Sequence, residues 1–200
     1  MDLLLVRHAE PVRIEDADGP ADPPLRGRGH RQAALAAAWL AGERLDAIWA
    51  SPLRRARETA EAIAVAHGLT VEIDEDLAEF DREAASYIPF EELRETKDER
   101  YLAMTEDRLQ DLDIDPQTFQ EGVVRAVERV IEANPGRKVG VVCHGGVINA
   151  YIAHILEIPK MLFFEPAYTS IHRIAASRAG HRSVVALNEM AHLRNVALED

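Results

Sequence analysis

Short apolar or β-branched runs alternate with longer amphipathic stretches along this chain. The runs at residues 3–6 (LLLV), 47–50 (AIWA), 70–73 (TVEI) and 139–143 (VGVVC) predict strands. Apolar residues at helical spacing predict helices over residues 29–40, 54–67, 118–133 and 146–156. Gly42, Gly68, the Asn134-Pro135-Gly136 turn and Pro159 supply stop signals for them. Near the end, residues 170–175 (SIHRIA) and 183–187 (SVVAL) flank Ala179-Gly180 and predict a β-hairpin. Strands that alternate with helices require crossover connections, hence a mostly parallel sheet with helices on both faces. The expectation is a three-layer αβα sandwich with one antiparallel element, forming a single domain over residues 1–200. Residues 80–117 break the alternation. They are acid-rich, hold Phe80, Tyr87, Phe90 and Tyr101, and predict a helical insertion, or lid, over the C-terminal edge of the strands.

Composition narrows the function classes. With 47% hydrophobic residues among 200, the chain can bury a core. A formal charge of −12 argues against nucleic acid or an anionic membrane surface as partner. The charge is uneven, however. Arg7, Arg13, Arg26, Arg28, Arg54, Arg55 and Arg57 all fall in the first third, a distribution suited to a small anionic substrate if those arginines converge. The single cysteine, Cys143, rules out an internal disulfide framework or a multi-cysteine zinc site. The apolar run after Met1 is too short for a signal peptide, and no stretch reaches membrane-spanning length, so a soluble cytoplasmic protein is expected. Asp111, Asp113 and Asp115 alternate like the start of a calcium loop, but Pro116 and Gly122 stand where that loop needs glycine and glutamate.

Candidate chemistry gathers at strand ends. The octet LLLVRHAE (3–10) runs an apolar strand into Arg7 and His8, and VGVVCHGG (139–146) does the same with His144 before a helix-opening Gly145-Gly146. Parallel strands that each end in histidine place both rings at one sheet edge, where open α/β sheets bind ligands. Glycines there permit close backbone approach, and a helix N-terminus offers N–H groups to an anion. Cys143 and His144, adjacent in an extended segment, point to opposite faces, so Cys143 reads as core. In ASPLRRARETA (50–60) the second strand turns at Ser51-Pro52 into a helix whose arginines can reach the same edge. Guanidinium forks match phosphate oxygens in geometry and charge.

Taken together, Arg7-His8-Ala9, the SPLRRARETA segment, Leu77-Ala78-Glu79 and His144-Gly145 resemble the ordered motifs of the histidine phosphatase superfamily, which includes the cofactor-dependent phosphoglycerate mutases. PLRGRGHRQA (24–33), TSIHRI (169–174) and LNEMAHL (187–193) are similar to further stretches of that family, although Arg26 stands where threonine is usual. The resemblance covers nearly the whole chain except the insertion.

What it implies is phosphoryl transfer to a histidine and then to water or another acceptor. On that basis His8 is the nucleophile, Arg7, Arg55 and His144 bind the phosphate with Gly145, and Glu79 is the acid that later activates water. Arg54 falls on a variable position, and Glu10 supports the pocket or orients an arginine. Arg13, Arg26 and Arg28 are candidates for a second anion site. Neither metal nor cofactor is implied, and the partner is a small phosphorylated substrate; the oligomeric state is open, a homodimer included. Three alternatives stand beside a phosphatase: a mutase, a non-catalytic binder of a phosphorylated ligand, and a metal site built from His8, Glu10 and His144. The mutase is disfavoured by Ile14, by Phe80-Asp81-Arg82 after the acid, and by the acidic insertion.

Overall fold

The computed structural model describes residues 1–194 and 196. Six strands form one sheet: β1 (Asp2–Arg7), β2 (Ala47–Ala50), β3 (Val71–Ile73), β4 (Lys138–Cys143), β5 (Ile171–Ala176) and β6 (Arg182–Glu189). Their spatial order is β3-β2-β4-β1-β5-β6. The first four strands in that order run parallel, whereas β5 is antiparallel to both β1 and β6. Four long helices accompany the sheet: α1 (Gly27–Leu40), α2 (Arg54–His67), α5 (Pro116–Ala133) and α6 (Gly145–Ile155). Two short ones, α3 (Phe90–Thr96) and α4 (Glu99–Thr105), lie within the insertion.

Burial follows the alternation of the strands. Leu3, Leu5, Val139, Val141 and Cys143 face a core completed by Val123, Val127 and Val130 of α5 and Ile148 and Ile152 of α6. Leu4, Val6, Ile48 and Val142 face the opposite core, completed by Ala37 and Leu40 of α1 and Ala60 and Ile63 of α2. Strands buried on both sides need continuous apolar sequence, which is why β1 and β4 read so clearly. Cys143 is fully buried in the α5/α6 core, and burial pushes its thiol pKa up.

Helix boundaries come out within two residues of the sequence expectation. α5 begins two residues early because Asp115 caps it, accepting from the Gln117 and Thr118 N–H groups, with Pro116 in the first position. That cap is the work done by the last acid of the calcium-like run. α2 stops at Gly68, whose φ of +65° is a left-handed cap that glycine adopts without strain. Among the described residues, no helix is long and apolar enough to cross a membrane.

The chain leaves β1 over one face toward β2 and leaves β4 over the other face toward β5. These adjacent strands therefore open a crevice at their C-terminal ends. The insertion lies over it. The insertion's base is tied to the loop after β1 by backbone hydrogen bonds from Ile14 to Tyr87, Ala17 to Ala85 and Ala21 to Ala84. The hydrophobic pattern gave no sign of these contacts, because both partners are irregular.

Candidate active site

The β1–β4 register sets Arg7 opposite Cys143, so the following residues, His8 and His144, stand side by side at the strand ends. Their ring centroids are 5.0 Å apart, and the His8 N–H donates to the Cys143 carbonyl at 2.9 Å. His8 Nδ1 lies 2.8 Å from the Ala9 carbonyl. A carbonyl only accepts, so Nδ1 is the protonated nitrogen and Nε2 keeps its lone pair. Burial, reinforced by the Arg55 and Arg7 charges, holds the His8 pKa well below the usual value, so the ring is neutral at pH 7. The loop beyond His8 is fixed by Thr59, whose hydroxyl accepts from the Ala9 N–H at 3.0 Å and donates to the Arg55 carbonyl at 2.7 Å.

Both candidate phosphate arginines are buried. Arg7 donates through Nη1 to the Pro166 carbonyl (2.6 Å) and to Glu91 (3.1 Å), and it lies 4.0 Å over the Tyr168 ring. Arg55, in the first turn of α2, donates through Nη2 to Asp81 at 3.1 Å and lies 4.6 Å over Tyr87. His144 Nε2 is 2.7 Å from the Ser51 hydroxyl. Burial, with Arg55, His8 and Arg7, lowers the His144 pKa well below the usual range. Arg7 Nε, Arg55 Nε and His144 Nδ1 are buried without a partner among the described residues. A buried donor left unpaired costs about 1–3 kcal/mol. The two guanidinium Nε–H groups are such donors, and His144 Nδ1 is a third unpaired polar atom, whose role is set by the direction of the His144–Ser51 hydrogen bond.

Glu79 sits at the N-terminus of α6. Its Oε2 accepts from the Gly146 N–H at 2.8 Å and its Oε1 from the Phe80 N–H at 3.1 Å. The helix terminus expected to meet a ligand anion thus holds a carboxyl of the protein itself. Burial, followed by the charge of Asp81, raises the Glu79 pKa to about 7 against those two hydrogen bonds.

Arg7, His8, Arg55, Glu79 and Gly145 line one cavity of about 1080 Å³, with the insertion as its far wall. Arg13 and Arg26 do not line it. They border a separate hollow of about 190 Å³, where Arg13 pairs with Glu92 at 2.7 Å and Arg26 Nη1 donates to Glu10 at 3.0 Å. Glu10 also faces Arg28 at 3.5 Å, so the arginines and not the histidines occupy its carboxylate. Ser51, Tyr87, Glu91, Gly146 and Tyr168 were given no site role from sequence. Ser51, as the first residue of the SPL turn, and Gly146, as a helix-opening glycine after His144, carried a signal.

The histidine phosphatase superfamily (branch 1) matches residues 3–189. Phosphoserine phosphatase 1 of Hydrogenobacter thermophilus is 38% identical over 107 residues, 52% of this chain and 51% of that protein. The chain thus spans about half the length of that curated relative. The uncharacterized phosphatase PhoE of Bacillus subtilis is 32% identical over 156 residues, 76% of each chain. The crystal structure of phosphoserine phosphatase from Entamoeba histolytica, in complex with 3-phosphoglyceric acid, superposes with a TM-score of 0.75 at 25% identity, covering 96% of this chain and 98% of that one. With the family match spanning nearly all of the sheet, this chain belongs to the histidine phosphatase superfamily, branch 1.

Proposed function

We propose that this protein hydrolyses a phosphomonoester through a phosphohistidine on His8. The observation that carries the proposal is the hydrogen bond from His8 Nδ1 to the Ala9 carbonyl, which leaves Nε2 as a neutral nucleophile on a ring lining the cavity. Phosphoryl transfer asks for positioning and for stabilisation of the non-bridging oxygens. Arg7 and Arg55 supply that charge, and the neutral His144 ring adds a hydrogen-bonding group beside His8.

In the first step His8 Nε2 bonds to phosphorus as the ester P–O bond breaks, and Glu79 gives its proton to the departing alkoxide. In the second, water attacks phosphorus, Glu79 takes the proton, and the P–N bond breaks to return the lone pair to His8. A carboxyl with a pKa of about 7 is matched to both halves of this cycle. The reaction needs no metal in this reading. Arginine charge takes the place of a cation, and Glu10, the third member of the metal alternative, is engaged by Arg26 and Arg28.

The test is direct. Denaturation during turnover should trap labelled phosphate on His8, stable in base and labile in acid. His8→Ala should lose both label and turnover, and both should persist in EDTA. Label on another residue, or activity restored to a chelated enzyme by zinc or manganese, would refute the proposal.

A further inference from the structure

Beyond the phosphate pole, the cavity is walled by Phe80, Phe90, Met104, Leu112, Ile114 and Phe164. None of these side chains is fully buried, and Met104, Leu112, Ile114 and Phe164 rest with one side on the α5/α6 core and turn the other to the cavity. The bases on this wall are already engaged. Arg94 pairs with Glu165 at 2.7 Å, Arg100 with Asp98 at 2.8 Å, and Lys160 donates to the Thr105 carbonyl. Asp113 adds negative charge to the same wall, and Glu83, paired with Arg82 at 3.3 Å, adds no free cation. A second anionic group on a substrate would meet two arginines already paired with carboxylates and one lysine tied to a carbonyl, on a wall that also carries Asp113, and would lose its water for little return. Exposed apolar surface concentrated in one concave wall marks a place where apolar ligand surface is covered.

We propose that the substrate is the phosphate ester of a bulky, uncharged, apolar alcohol, not of a carboxylated or second-phosphate-bearing one. This rests on the phosphatase reading above and adds the leaving group to it. Phosphate sits among Arg7, His8 and Arg55, while the alcohol's apolar body lies against the Phe80–Phe164 wall.

The experiment compares kcat/KM for ethyl, butyl, hexyl and 5-carboxypentyl phosphate. The leaving alkoxides are chemically alike, so differences report binding of the chain. Each added methylene should raise kcat/KM about two- to fourfold. The terminal carboxylate should cost about tenfold or more relative to hexyl phosphate. Met104→Lys, which places a cation on the wall, should narrow that discrimination. Indifference to chain length, preference for the carboxylated ester, or discrimination unchanged in Met104→Lys would overturn the leaving-group proposal while leaving the phosphatase reading intact. Failure to release phosphate from every ester, p-nitrophenyl phosphate included, would overturn both.

Discussion

At the scale of single residues, the folded environment shifts the protonation of three groups in the candidate site. His8 and His144 are kept neutral by burial and by the arginines beside them. Burial and the charge of Asp81 raise the Glu79 pKa to about 7, so its carboxyl holds a proton to near-neutral pH. On alkyl phosphates the rate should therefore fall as pH rises through about 7 and Glu79 loses its proton. Glu79→Gln should lower kcat about 100-fold on those esters and less than about tenfold on p-nitrophenyl phosphate, whose leaving group hardly needs a proton. Equal losses on both would move the acid role elsewhere. The same shift has a stability consequence. The folded Glu79 binds its proton more tightly than the unfolded chain, so its contribution is fully present below the ordinary pKa of 4.5 and is lost as pH rises to about 7. The loss approaches about 3 kcal/mol by pH 8. Urea unfolding at pH 4 and pH 8 should show that loss in the native protein relative to Glu79→Gln.

At the scale of elements, the N-terminus of α6 couples the fold to the acid. Gly146 has no side chain because Glu79 occupies the space. A Cβ built there would lie 2.2 Å from Glu79 Oε1 and 2.6 Å from the Phe80 ring. Gly146→Ala should therefore displace the carboxyl and reproduce the leaving-group-dependent loss of Glu79→Gln. Alanine's better helix propensity, worth about 1 kcal/mol, should keep the melting temperature within about 4 °C of the native value. A uniform loss on all esters, or normal activity, would contradict this coupling.

At the scale of the whole molecule, the distribution of charge separates hydrolysis from isomerisation. Residues 83–115 carry 11 acids and 4 bases. They roof a pocket whose inner pole is cationic. A mutase must retain a bisphosphorylated intermediate and exclude water, and an acidic roof repels such an intermediate while admitting water. With 3-phosphoglycerate and catalytic 2,3-bisphosphoglycerate, free phosphate should exceed 2-phosphoglycerate. Efficient isomerisation with little phosphate released would show that the acceptor is not water.

The line between what the chain states locally and what packing decides runs through this site. Unbroken apolar runs ending in Arg7-His8 and Cys143-His144 announce β1 and β4 buried on both faces, and the alternation of strand and helix brings their ends to one edge. Spacing brings Arg54, Arg55 and Arg57 after β2 by one short turn, and the family resemblance selects Arg55 among them. These are matters of period and spacing within a few residues. The His8 tautomer, the pKa of Glu79 and the separation of Arg13 and Arg26 from His8 depend on contacts that leave no periodic trace. Arg7 meets Glu91 and Pro166, 84 and 159 residues away in sequence, and rests on Tyr168. Arg55 meets Asp81 and Tyr87 from the insertion. The helical character of that insertion could be read from its composition, but not which of its many acids would turn inward onto the arginines. That choice is made by the packing of irregular segments, where neither hydrophobic period nor turn chemistry selects one neighbour over another.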